Sequence, residues 1–88
     1  MQQVSVKLPK KPYKWSGAGP IPSVGSEVKI GMNKLGSGTV LGYSKLHGES
    51  GSWLGIWVKL LNPPEWFKER NSNWETGLFL FFGRDVEQ

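Results

Sequence analysis

His47 is the only histidine of the chain, and there is no cysteine. A metal site would have to join His47 to carboxylates, with Glu49 the only near candidate, and that falls short of a ligand set. His47 lies in a polar, Gly-rich stretch and reads as a solvated side chain. Glu65 and Glu69 are four residues apart and would share a helix face, where like charges at that spacing mark a solvated surface. The run Gly36-Ser37-Gly38-Thr39 lacks the lysine and the spacing of a phosphate-binding loop and reads as a turn. No nucleophile, acid–base pair or metal set is assembled. The chain therefore reads as non-catalytic, with no cofactor and no small-molecule substrate expected.

The informative chemistry is apolar. Residues 53–61, WLGIWVKLL, read as a strand with greasy groups on both faces, because successive side chains on a strand point to opposite sides. Leu54, Ile56, Val58 and Leu60 share one face, and Trp53, Trp57 and Leu61 share the other. Residues 78–82, LFLFF, behave the same way, with Leu78, Leu80 and Phe82 on one side and Phe79 and Phe81 on the other. A buried aromatic removes about 150–250 Å² from water, worth about 4–6 kcal/mol at about 25 cal/mol per Å². A domain of this length holds a total stability of only about 4–13 kcal/mol. Something must cover Trp53, Trp57, Phe79 and Phe81. The candidates are the chain itself, a second copy, or a partner.

Stepping along the chain places these strands. Residues 1–24 are rich in Pro and Gly and read as a flexible basic tail or as an arm that docks on its own barrel or on a partner, with a short edge strand available over 4–8. Val28, Ile30 and Met32 alternate with polar residues and give a first strand. The run 33–38 is a turn cluster, 39–43 a second strand with Gly42 at a bulge, and 44–52 an exposed tip. After the third strand, Asn62 fits a helix N-cap, Pro63 the first helical position and Glu65 the capping box, with Leu61 and Trp66 as a hydrophobic staple. One short helix over 63–70 follows. The fourth strand ends at Phe82, and Gly83-Arg84-Asp85-Val86 reads as a tight turn leading into a strand stub. The expectation is an all-β small barrel of four to five strands over 25–88, with one short helix between the third and fourth strands.

The segments Gly25-Ser26-Glu27-Val28 and Gly36-Ser37-Gly38-Thr39-Val40, followed by the long strand at Trp53, resemble the opening of KOW, Tudor and related SH3-like domains. That resemblance implies an SH3-like barrel, a fold that hosts many unrelated functions. Gly38-Thr39-Val40 with Gly51-Ser52-Trp53-Leu54-Gly55-Ile56 looks like the core of CAP-Gly domains, but Asn62-Pro63-Pro64 stands where those domains carry their tail-gripping motif. The arrangement is also similar to type II dihydrofolate reductases. Leu78-Phe79-Leu80-Phe81 lacks the Gln and Tyr that line their pore, so assembly carries over as an idea and folate chemistry does not.

Charge decides between partners. Lys7, Lys10, Lys11 and Lys14 precede the first acidic residue, Glu27, and thereafter basic and acidic residues balance, so the whole net charge of +4 sits in the tail. A near-neutral barrel argues against a basic binding face. The leading expectation is a binding module that docks a protein or assembles with itself through Trp53, Trp57, Phe79, Phe81 and Tyr43. The alternative is nucleic-acid binding through Lys7, Lys10, Lys11, Lys14, Lys45 and Lys59 with surface aromatics. No run is apolar enough to span a bilayer and no signal-peptide pattern is present, so no membrane partner is expected and a cytoplasmic location is.

Overall fold

Five antiparallel strands curl into a half-barrel in the computed structural model, which describes residues 5–87. The strands are β1 (Glu27–Ile30), β2 (Gly36–Gly48), β3 (Gly51–Leu60), β4 (Phe79–Phe82) and β5 (Val86–Glu87), and their order across the sheet is β4-β3-β2-β1-β5. One short helix, α1 (Glu65–Arg70), stands between β3 and β4. The protein is thus an all-β small barrel with a short helix, as the apolar alternation implies. Leu54, Ile56, Val58 and Leu60 all turn into the core, where they meet Ile30, Leu35, Val40, Tyr43, Phe81 and Val86. The register shift in the β2–β3 ladder falls between Val40 and Gly42, at the glycine where a bulge is expected.

Three local expectations change. The helix does not start at Pro63: its N-cap is Pro64, with ψ 157°, and Asn62 makes no cap. Asn62 and Pro63 each precede a proline, and the ring of the following proline drives such residues out of the helical region. Asn62 Oδ1 instead accepts a hydrogen bond from Lys68 Nζ at 3.0 Å. The expected staple is also absent, since Leu61 and Trp66 are 48% and 43% exposed. Phe67, not Trp66, packs towards the core and meets Phe79 edge-on at 5.0 Å.

The stretch 44–52 is not a loose tip. β2 runs on to Gly48 and β3 starts at Gly51, leaving Glu49 and Ser50 as a two-residue turn. Its polar side chains gave no alternation to read, yet backbone pairing does not require one. Met32 leaves the first strand for a short 3-10 turn (Met32–Lys34), in which Asn33 and Lys34 take positive φ.

Beyond the hairpin's contacts with β1 and β4, the N-terminal segment makes one bridge on each of its outer borders. Ser5 pairs with Tyr43 on the β2 side, and Lys14 pairs with Trp53 on the β3 side. Four backbone hydrogen bonds of 2.8–3.1 Å make these joins: Ser5 N–H to Tyr43 O, Tyr43 N–H to Ser5 O, Lys14 N–H to Ser52 O, and Leu54 N–H to Lys14 O. Between and beyond them Tyr13, Trp15 and Ile21 pack against the core. Residues 5–24 therefore form a strap across the concave side of the barrel. Val4, the first residue of the edge strand expected over 4–8, lies outside the described residues; Val6 and Leu8 are exposed and only Ser5 pairs.

Candidate docking surface

The five aromatic residues singled out by the sequence divide between two faces. Tyr43 and Phe81 are core residues, 4% and 3% exposed, and offer no surface to a partner. Phe79 is half-buried on the same side, against Phe67 and the core. Phe79, Phe81 and Tyr43, expected in the docking set, thus face the core: pairing of Ile56 with Phe81 puts that side of β4 inward. Burial also lifts the Tyr43 phenol above its usual pKa near 10, and its O–H donates to the Pro22 carbonyl at 2.6 Å.

Trp53 and Trp57 do stand on the outer face, half-exposed, with Leu80 and Phe82 of β4. Gly55 lies between the two tryptophans. A Cβ there would sit 2.7 Å from Leu80 Cδ1 and 3.4 Å from Leu46 Cδ1, so leucines from the two flanking strands close over a bare stretch of β3. The outer face is thus a continuous apolar strip: Leu46 on β2, Trp53 and Trp57 on β3, Leu80 and Phe82 on β4. Trp57 is fixed by its indole N–H, which donates to Ser44 Oγ at 2.7 Å. Leu46, Leu80 and Phe82 belong to the site although the list of aromatics omitted them. Alternation along β4 was the available signal for Leu80 and Phe82, whereas Leu46 lay in a stretch read as loop.

The lysines do not form one stripe. Lys45 Nζ donates to Lys10 O at 3.0 Å, and Lys14 Nζ donates to Ser50 O at 2.9 Å while lying 5.3 Å from the Trp53 ring centre. Lys7 and Lys11 are exposed on the strap, and Lys59 is exposed on β3 opposite Thr39. His47 Nδ1 and Ser52 Oγ share a hydrogen bond of 2.8 Å across the hairpin, an exposed pair. Among the described residues no group of three or more His, Asp or Glu side chains could hold a metal ion, and no helix is long and apolar enough to cross a membrane. No protein family, curated protein or solved structure matches the chain.

Proposed function

We propose that this chain is a non-catalytic, SH3-like binding module that docks a segment of another protein on the outer face of β2, β3 and β4. One observation carries this reading. Leu46, Trp53, Trp57, Leu80 and Phe82 stand side by side on the face opposite the core, half-exposed, on three paired strands. Rigid aromatic anchors on a sheet lose little entropy on binding, which suits a docking surface. The strap already covers the concave side, so the concave side is not the free surface. Lys45 donates to the Lys10 carbonyl, and Lys59 stands at the other end of the β2–β3 ladder opposite Thr39, which favours the apolar face over a basic stripe.

Selection from a random-peptide display library, read against wild type and against Trp57→Ser and Leu80→Ser, tests the proposal. Peptides enriched on wild type should lose about tenfold or more in affinity on either variant. Ellipticity checks that both variants stay folded, and Leu80→Ser on the edge strand carries the test if Trp57→Ser unfolds. Equal binding to all three proteins overturns the outer face as the site. A rise in solution mass that the variants abolish would replace a foreign partner with a second copy. Oligonucleotide affinity that falls steeply with salt, in place of peptide binding, would establish the nucleic-acid alternative.

A further inference from the structure

At the hairpin end of the outer face, Leu46, Trp53 and Phe82 wall an open cleft of about 340 Å³, with Ser16, His47 and Arg84 on its rim. No Asp or Glu lines it. Lys14 adds a cation at the same end, its Nζ over the Trp53 ring. The Arg84 side chain is exposed and forms no ion pair among the described residues. The neighbouring Asp85 makes no ion pair with it among the described residues; its carboxylate accepts the Phe82 N–H at 2.9 Å. The cleft lining therefore combines three apolar side chains with one arginine and no carboxylate, and Lys14 lies nearby.

Resting on the docking reading above, we propose that this cleft selects an acidic peptide carrying a bulky apolar side chain. The apolar group would enter between Leu46, Trp53 and Phe82. A carboxylate beside it would meet the Arg84 guanidinium, whose planar fork matches a carboxylate with two parallel hydrogen bonds. Lys14 would add long-range attraction, and its three ammonium protons leave donors beyond the one given to Ser50 O. A nucleic-acid strand fits less well. The apolar walls suit one inserted side chain, and the barrel supplies no row of cations to follow a phosphate backbone.

The test is calorimetric titration of the full chain at low salt with three end-blocked hexapeptides. One has a Leu-Phe pair flanked by glutamates, one the same pair flanked by lysines, and one Gly-Ser flanked by glutamates. The first should bind about tenfold more tightly than either control. Arg84→Glu should reverse the preference between glutamate and lysine flanks. The Arg84 backbone N–H that holds Ser16 Oγ at 3.0 Å is untouched by that change. Leu46→Ser should weaken the first peptide without altering the charge preference. Equal affinity for glutamate and lysine flanks, an unchanged preference in Arg84→Glu, or oligothymidylate binding in place of the acidic peptide each overturn the proposal. If library peptides still require Trp57 and Leu80 while the acidic probe fails, only the acidic chemistry is lost. If both fail, the docking reading falls with it.

Discussion

A Cβ added at Gly38 would collide with Val58 Cγ1 and come within 3.0 Å of the Lys59 carbonyl oxygen, a backbone atom that cannot swing aside. At Gly55 the nearest atom would be Leu80 Cδ1 at 2.7 Å, the end of a flexible side chain on a half-exposed face. The two sites lie on the same pair of strands, yet alanine should act differently at each. Gly38→Ala should destabilise by about 1–3 kcal/mol through overpacking. Gly55→Ala should stay within about 1 kcal/mol, because Leu80 can turn away and alanine loses less chain entropy than glycine. Urea midpoints of the two variants check this, and a larger loss for Gly55→Ala would contradict it. Neither role was legible from the residues alone: Gly38 belonged to an apparent turn cluster and Gly55 was a spacer between faces. A close approach is set by the atom across the ladder, and register is the property a single sequence reports least well. By contrast, the sharing of one face by Leu54, Ile56, Val58 and Leu60 was readable from strand geometry, although both faces are apolar and the sequence left open which of them meets the core.

Elements with a sharp period were legible, and elements held by distant partners were not. β1 follows from alternation, β3 and β4 from short apolar runs bounded by turn residues, and α1 was expected from its capping residues, though the double proline moves its start. The strap was legible only as one of two readings, a mobile tail or a docked arm, because Pro and Gly-rich chains look mobile wherever no neighbour is known. Its middle rests on Gly83, which is buried with the Gly17 and Ser16 backbone packed directly against it. Gly83→Ala should therefore push residues 16–17 off the barrel. In amide exchange, Leu54, whose N–H donates to Lys14 O at 2.8 Å, should lose protection. Ile56 and Val58, paired on both sides by β2 and β4, should keep theirs. Unchanged exchange at Leu54 would mean that the strap does not depend on that contact.

Tyr43 ties the strap to the barrel of the whole molecule: it is a core residue, and its O–H donates to the Pro22 carbonyl. Its phenol pKa is raised by burial. Below the unfolded value near 10, both states keep the proton and this contribution to stability is complete. Above it the unfolded chain releases the proton while the folded one holds it, so stability falls with rising pH until the raised native value is passed. Tyr43→Phe should remove that fall, seen as the difference between the two proteins' urea midpoints across pH 9 to 12. At neutral pH it should lose about 0.5–1.5 kcal/mol with the hydrogen bond to Pro22. An identical alkaline slope in both proteins would show that the phenol does not titrate against folding. The strap has one further consequence. Residues 5–17 leave the ribosome well before the positions that receive them, Tyr43, Ser52, Leu54 and finally Arg84. During synthesis Tyr13 and Trp15 thus have no seat until the strands that follow them have emerged.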